Sequence, residues 1–252
     1  TVMMTPLGLE TVRRARDVLR NVEDIVDLVS AAGAPLSGAL RMGVIPTIAP
    51  FLLPRVLPTL RHAYPDLKLY LSEKQSAALL EDLAAGQLDL LLLAFPYPCE
   101  KLETLLFADD PLWAAYPKGR LATDKERLSV KDLEGENLLL LGAGNCLRDH
   151  ALSVCGLSGQ HQQAEFQATS LHTLVQMVEG GLGVTLLPKM AIDAGIARAT
   201  GIALRPIDGA THGRHIGFAW RPSSPRTAEF TLLAEFFRDE LATPIPALYK
   251  SP

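Results

Sequence analysis

Apolar residues near the start of the chain recur at alternating spacings of three and four residues. These positions are Val12, Ala15, Leu19, Val22, Val26 and Val29. The positions between them are largely charged or polar, so the apolar stripe is narrow, as in a coiled-coil seam. Thr5 and Pro6 match a helix start, because threonine caps a helix and proline suits its first turn. The pattern predicts a helix that dimerises with a second copy of the chain. The alternative is a helix packed on its own domain.

The apolar pattern after Leu36 changes between the two-residue period of strands and the longer period of helices. It predicts strands at 39–45, 67–71 and 88–93, with helices at 50–63 and 76–84 between them. Strands that alternate with helices are typical of a parallel sheet with right-handed crossovers. This part of the chain is therefore expected to form an α/β unit.

A second alternation of strands and helices follows. It predicts strands at 138–141, 165–168 and 183–187, helices at 146–154 and 171–178, and finally a strand at 215–220 and a helix at 227–241. The last strand and helix are expected to return to the first unit. Two α/β units joined by crossing strands leave a cleft between them, where small ligands tend to bind.

Composition narrows the class of protein. Of the 252 residues 48% are apolar, which is enough for a substantial core, and 24 basic against 28 acidic residues give a net charge of −4. Overall charge therefore does not attract nucleic acid. The longest apolar run, 88–95, is shorter than the roughly 18 residues of a membrane span, and no signal peptide is evident. Three cysteines in a chain of this length indicate a cytoplasmic protein whose thiols start reduced. Because the chain begins Thr-Val-Met-Met, we expect it to be a piece of a longer protein.

Two of the three cysteines, Cys146 and Cys155, lie in a segment that also contains charged and ionisable side chains. Cys146 follows a loop of Gly, Ala, Gly and Asn at the predicted start of a helix, where the helix dipole favours an anion. Arg148 and His150 follow closely, and positive charge would stabilise the reactive thiolate. Cys99 has no such polar neighbours and is expected to fill space in the core.

With the spacing between Cys146 and Cys155, a helix and a disulfide cannot both form. Nine helical steps separate their α-carbons by roughly 13–14 Å and place them on opposite faces. A disulfide needs about 4.4–6.8 Å between α-carbons. The helix and the bridge therefore exclude one another, and a segment with two exclusive states is what a redox switch requires.

Two other chemistries remain open for this segment. Cys146, His150 and Cys155, with Asp149 nearby, have spacings that suggest a metal site, but Cys155 would lie on the far face of the helix. A cysteine–histidine hydrolase is the other alternative, although the sequence supplies no clear third catalytic residue.

The segment 144–155, GNCLRDHALSVC, resembles the redox loop of the OxyR family, the peroxide-sensing branch of the LysR-type transcription regulators. The resemblance extends over most of the chain. It includes GVIPTIAPFLLPRVLP at 43–58, ATSLHTLVQMVEGGLGVTLLP at 168–188 and GFAWRPSSP at 217–225.

The resemblance implies an α/β regulatory domain of two subdomains, like a periplasmic binding protein, preceded by a long linker helix. Residues 34–110 together with 215–252 would form subdomain I, and residues 111–214 subdomain II with the redox cysteines. Residues 1–33 would be the linker helix that follows a winged-helix DNA-binding domain, which this chain lacks.

The resemblance also implies residue roles. Hydrogen peroxide would oxidise Cys146 to a sulfenic acid, and Cys155 would condense with it to a disulfide. Thr47 and Ser76 would help to hold the peroxide or a water, although on the residues alone each hydroxyl is an ordinary helix N-cap. Arg148 and Asp149 match the family, whereas Asn145 and His150 stand where the family has histidine and glutamine.

The implied partners are hydrogen peroxide, a second or further copy of the chain, and promoter DNA through the absent domain. A thiol reductant such as glutaredoxin or thioredoxin would reset the switch, and RNA polymerase is a further candidate partner. The resemblance implies no cofactor and a stoichiometric sensor, not an enzyme. The alternatives are a LysR-type domain that binds a small metabolite and a thiol peroxidase with many turnovers.

Overall fold

The computed structural model describes residues 4–8, 10–12, 14–15, 18–19, 22, 25, 35–120, 125–156, 168–208 and 213–242. Every residue described from position 6 to position 25 is helical. Within the predicted dimerisation stripe, Leu19 and Val22 are exposed and Val12 is half-buried, while Val26 lies outside the described residues. Val18 and Ile25, which the predicted stripe omits, are also exposed apolar residues of this helical segment. Pairing through it stays a prediction.

The first α/β unit follows the predicted alternation. Its elements are β1 (Gly38–Val44), α1 (Ala49–Ala63), β2 (Leu67–Glu73), α2 (Ser76–Ala84) and β3 (Leu90–Phe95). β1 lies between β2 and β3 and pairs with both in parallel, which confirms the predicted parallel sheet. β3 is buried along its whole length, as its run of leucines indicates.

Two long strands connect this unit to the second. β4 (Glu103–Tyr116) runs antiparallel to β7 (Gly213–Trp220), and β7 is also antiparallel to β3. The far end of β4 pairs with β5 (Thr185–Pro188) and β6 (Ala203–Pro206). β4 and β6 were not predicted from the sequence. The predicted return of the last strand and helix to the first unit is confirmed, since β7 joins its sheet.

The second unit holds the remaining short elements. They are a 3₁₀ turn at Val130–Leu133, α3 (Cys146–Val154), α4 (Leu171–Glu179) and α5 (Lys189–Asp193), while α6 (Thr227–Ala242) packs on the first unit. The predicted strand at 138–141 is reduced to two single bridges, Leu138 with Val184 and Leu141 with Ala168. Of the predicted strand at 165–168, only residue 168 lies within the described residues.

Buried side chains form two hydrophobic clusters, one centred on each unit, and Phe51 of α1 packs into the second cluster. Along β4, Phe107 packs into the first cluster and Leu112 into the second. On β7, Ile216 belongs to the first cluster. The point at which β4 passes from one cluster to the other lies close to the predicted subdomain boundary at 110/111, and Ile216 lies close to the boundary at 214/215. The two subdomain boundaries stay a prediction. No helix within the described part of the chain is both long enough and apolar enough to cross a membrane.

Candidate redox site

Cys146 is the first residue of α3, and its side chain is buried in the cluster of the first unit, at 4% exposure. The preceding turn packs on Gln75. Gly144 has φ +88°, a backbone conformation that strongly favours glycine, and a Cβ there would also displace the end of the Gln75 side chain, whose Oε1 would lie 2.5 Å away. Asn145 occupies the N-cap position, but its Nδ2 donates to the Gly142 carbonyl at 3.1 Å and its side chain does not cap the helix.

Two buried hydroxyls lie at the carboxyl ends of neighbouring strands. Thr47 follows β1, and Ser76 is the first residue of α2, with 3% and 2% exposure. The N-cap residues of the two helices are Ile48 and Gln75, and neither makes a side-chain cap. The alternative that Thr47 and Ser76 are ordinary N-caps is therefore wrong.

A buried ion pair, absent from the sequence predictions, lies beside these hydroxyls. Pairing of β4 with β7 sets Arg214 directly opposite Asp110, and the Arg214 Nε donates to the Asp110 Oδ2 at 3.0 Å. The Arg214 Nη1 donates to the Thr47 Oγ1 at 2.7 Å, and its Nη2 donates to the Thr47 carbonyl at 2.9 Å. Asp110 also accepts from the Met190 backbone N–H at 2.8 Å. Arg214 thus holds the Thr47 hydroxyl in place and brings positive charge into the site.

Burial raises the pKa of the Cys146 thiol above its ordinary value, and the Asp149 carboxylate raises it further. The Arg214 charge, the Ser76 hydroxyl and the Leu147 backbone N–H oppose this increase. The sequence predicts a stabilised thiolate with Arg148 and His150 as the sources of positive charge. In the structure burial outweighs these effects, and the cation that lowers the thiol pKa is Arg214. The Arg148 Nη1 donates to the Leu141 carbonyl at 3.2 Å.

His150 is buried and neutral. Burial lowers the pKa of its imidazole, and its Nε2 lies 2.9 Å from the Pro96 carbonyl oxygen. The carbonyl can only accept, so we assign the proton to Nε2 as the donor. Nδ1 is then an acceptor, and it has no hydrogen-bond partner among the described residues. His150 thus ties α3 to the loop after β3 and adds no charge to the site.

Tyr97 lies on that loop and was also missed by the sequence reasoning. Its pKa is raised above the ordinary value of 10.0, mainly by burial and then by the neighbouring Cys146, while the Ser76 hydroxyl lowers it. The Cys99 Sγ donates to the Tyr97 carbonyl at 3.3 Å, and Cys99 packs against the cluster of the first unit. No local pattern marks Tyr97 as a site residue, because its neighbours are distant in sequence.

Cys155 caps the carboxyl end of α3, and it packs against the cluster of the second unit. Burial raises the pKa of its thiol. Both thiols are free, and the intact helix keeps them apart as the spacing predicts. Among the described residues, no group of three or more His, Cys, Asp or Glu side chains is placed to hold a metal ion.

Comparison with known proteins identifies the family. Residues 33–242 match the model of the LysR substrate binding domain. A hydrogen peroxide-inducible genes activator from Dickeya chrysanthemi is 38% identical over 240 residues, which cover 95% of this chain and 78% of the relative.

Two solved structures extend the comparison. The reduced regulatory domain of OxyR2 from Vibrio vulnificus is 38% identical with a TM-score of 0.75, over 82% of this chain and 97% of that one. A peroxide-bound cysteine-to-serine mutant of OxyR from Corynebacterium glutamicum is 29% identical with a TM-score of 0.80, over 95% of this chain and 76% of that one. This chain therefore belongs to the LysR family of transcription regulators, within its OxyR group.

Proposed function

We propose that this chain is the hydrogen-peroxide-sensing regulatory domain of a LysR-type transcription regulator. The observation that carries the proposal is the arrangement around Cys146. A buried thiol at a helix start lies beside the Ser76 hydroxyl and the Arg214 charge, and a second thiol ends the same helix. The names of the relatives, which are peroxide-inducible activators and OxyR proteins, support the same function.

The proposed chemistry has two steps. The Cys146 sulfur attacks one oxygen of hydrogen peroxide, the O–O bond breaks, and the products are the sulfenic acid and water. The Cys155 thiol then attacks that sulfur, which forms the disulfide and releases a second water. Sulfur is oxidised by two electrons as the peroxide is reduced, so a thiol reductant such as glutaredoxin or thioredoxin is needed to reset the switch.

The surroundings of Cys146 suit the first step. Attack requires negative charge on sulfur, and the departing oxygen also carries developing charge. The Arg214 guanidinium and the Ser76 hydroxyl stabilise negative charge at the sulfur, while Arg214 orients the Thr47 hydroxyl. Burial favours the protonated thiol at rest, and the 4% exposure of Cys146 shields its sulfur from large oxidants.

The second step demands a change of fold. While α3 is intact, its ends are roughly 13–14 Å apart, far beyond the about 4.4–6.8 Å that a disulfide spans. The helix must unwind, and one of the two thiols must leave its own hydrophobic cluster. We propose that this refolding rearranges a dimer or tetramer. The N-terminal helix would join the copies, and a winged-helix domain outside this chain would contact promoter DNA and affect RNA polymerase.

Intact mass and peptide mapping test the proposal directly. One equivalent of hydrogen peroxide should remove two hydrogens from the fully reduced protein and link the Cys146 and Cys155 peptides. Cys146→Ser should abolish this oxidation. Cys155→Ser should stop it at the sulfenic acid, which dimedone traps, and Cys99→Ser should behave as the wild type.

Two outcomes would reject the peroxide-sensing function. Oxidation spread over Cys99 and the methionines, or no oxidation at all, would favour a domain that binds a small metabolite. Many peroxide turnovers per chain with a reductant present would instead indicate a thiol peroxidase.

A further inference from the structure

One side-chain hydrogen bond connects the middle of α3 to the first unit. The apolar side chains of α3 that pack into the cluster of the second unit are Leu147, Ala151 and Val154. His150 lies four residues after Cys146, on the same side of the helix. The His150 Nε2 is 2.9 Å from the carbonyl oxygen of Pro96, which directly follows β3. This bond therefore joins a helix packed in the second unit to a loop of the first.

The hydrogen bond fixes which nitrogen of His150 carries the proton. A carbonyl oxygen only accepts, so Nε2 of the neutral ring is the donor and Nδ1 is a bare acceptor. Nδ1 is buried, and it has no hydrogen-bond partner in the part of the chain that the structure describes. The whole side chain is only 6% exposed. The packed helix therefore accommodates the neutral imidazole and offers nothing to pair with a second N–H.

A proton added to Nδ1 would cost free energy while α3 is packed, because a buried N–H and a buried charge would both lack a partner. The charged and titratable groups around the ring are Arg214 of β7, Cys146 and Asp149 of α3, and Tyr97 of the loop after β3. Burial lowers the pKa of His150, the Pro96 carbonyl and Asp149 raise it, and Arg214 lowers it. The net direction is downward, in agreement with the unpartnered Nδ1.

We infer that the His150–Pro96 hydrogen bond is an acid-sensitive tether of α3. The neutral ring holds the helix against the first unit. When α3 unwinds, the ring reaches water and takes up a proton at Nδ1, so acid favours the unwound segment. Building on the peroxide-sensing function proposed above, the same unwinding is what lets Cys155 reach Cys146. Acid therefore favours the change of fold that disulfide formation needs.

The direction of the pKa shift sets the pH range. In the unwound segment His150 titrates near its ordinary value of 6.5, and in the packed helix it titrates lower. The tether is therefore at full strength above pH 6.5 and weakens as the pH falls below it. Opening of α3 should be about threefold to tenfold more frequent at pH 5.5 than at pH 7.5, with tenfold as the limit one unit below the ordinary pKa.

Hydrogen–deuterium exchange of the reduced full chain, resolved by mass spectrometry, measures this opening without peroxide. Exchange in α3 is corrected for the intrinsic effect of pH, and α6, which contains no histidine, is the internal reference. His150→Gln keeps an N–H donor for the Pro96 carbonyl and does not titrate, so its α3 should open equally often at both pH values. His62→Gln removes an exposed histidine of α1 and should keep the wild-type response.

A second measurement follows the redox step. Quenched-flow alkylation with mass spectrometry gives the rate at which the sulfenic acid becomes the disulfide at pH 5.5 and pH 7.5. The ratio of the wild-type rate to the His150→Gln rate cancels the effect of pH on the thiol chemistry. This ratio should rise on acidification by the same factor as the opening of α3.

Each result decides between the claims. Opening of α3 that does not increase at pH 5.5, or that increases equally in His150→Gln, overturns the tether and leaves the peroxide function intact. Acid-dependent opening in a protein whose Cys146 does not react with peroxide rejects the sensing function and supports the tether. Acid-dependent opening with a constant ratio of disulfide rates overturns the effect of the tether on the redox step.

Discussion

At the scale of single residues, the site depends on a charge that the sequence does not mark. Arg214 follows Cys146 by 68 positions and Asp110 precedes it by 36. They meet because β4 and β7 pair in one register, and the pair is almost fully buried. Local sequence patterns indicate Cys146 and Cys155 as site residues, and the family resemblance indicates Thr47 and Ser76. No local pattern can report a contact that only the folded sheet creates, so Arg214 and Tyr97 were missed.

The charge of Arg214 should control the reactivity of Cys146. Arg214→Gln should raise the pKa of Cys146 and slow its oxidation at pH 7 by at least about tenfold, since the main cation opposing burial is lost. Asp110 would also be left as an unpaired buried charge, which should lower the free energy of unfolding by about 3–5 kcal/mol. Stopped-flow oxidation and urea denaturation measure the two effects.

The controls for Arg214→Gln separate charge from folding. Arg214→Lys keeps a positive charge and should recover part of the oxidation rate. Arg148→Gln removes a guanidinium that donates to the Leu141 carbonyl and should leave the pKa of Cys146 nearly unchanged. If Arg148→Gln raised the pKa of Cys146 more than Arg214→Gln, the main cation that stabilises the thiolate would be Arg148, as the sequence predicts.

At the scale of elements, the separation of Cys146 and Cys155 could be derived from the sequence. Both lie on α3, and the rise per residue of a helix is fixed. β4 could not be derived from the sequence. Its segment Ala108-Asp109-Asp110-Pro111 has the composition of a turn, since Asp and Pro favour turns and oppose strand interiors. The strand continues because Asp110 is paired with Arg214 and because Pro111 lies opposite Gly213, the first residue of β7.

The stability of α3 should set the rate of disulfide formation. Ser153 is an exposed residue near its end, so its substitution changes helix propensity with little effect on packing. Ser153→Ala should slow disulfide formation about twofold and Ser153→Gly should accelerate it about twofold, each reflecting about 0.5 kcal/mol in helix propensity. Quenched-flow alkylation with mass spectrometry follows the disulfide.

Sulfenic acid formation is the internal control for these two variants. In the proposed mechanism this step precedes the unwinding of α3. The rate of sulfenic acid formation, measured by dimedone trapping in a Cys155→Ser background, should therefore be the same in both variants. Equal disulfide rates in Ser153→Ala and Ser153→Gly would mean that unwinding of α3 does not limit the switch.

At the scale of the whole molecule, the two thiols belong to different hydrophobic cores. Cys146 lies in the cluster of the first unit and Cys155 packs against that of the second. A bridge between them must transfer one sulfur across the boundary between the units. The division into two α/β units could be predicted from alternating periodicity, but which core receives each thiol depends on how α3 is seated, and that is a property of the complete fold.

The same burial makes the folded chain sensitive to alkaline pH. The pKa values of Cys99, Cys146, Cys155, Tyr97 and Tyr116 are all raised, that of Tyr116 to about 12 by burial first and then by Glu136 and Asp132. Each group holds its proton more tightly in the folded chain than in the unfolded chain. Their stabilising contribution is therefore complete below the ordinary thiol value of 9.0. It is lost as the pH rises from there through the folded values.

The free energy of unfolding should accordingly fall between pH 9 and pH 11 in a reducing buffer. Each group that is ionised only in the unfolded chain contributes about 1.4 kcal/mol per pH unit. Urea denaturation at fixed pH values, followed by tryptophan fluorescence, measures the slope. Tyr116→Phe should reduce the slope above pH 10, because it removes a phenol whose pKa burial raises to about 12 and loses only a 3.4 Å hydrogen bond to the Asp132 carbonyl. Tyr70→Phe removes an exposed phenol and should leave the slope unchanged. Equal slopes in these two variants would show that burial of Tyr116 does not link stability to pH.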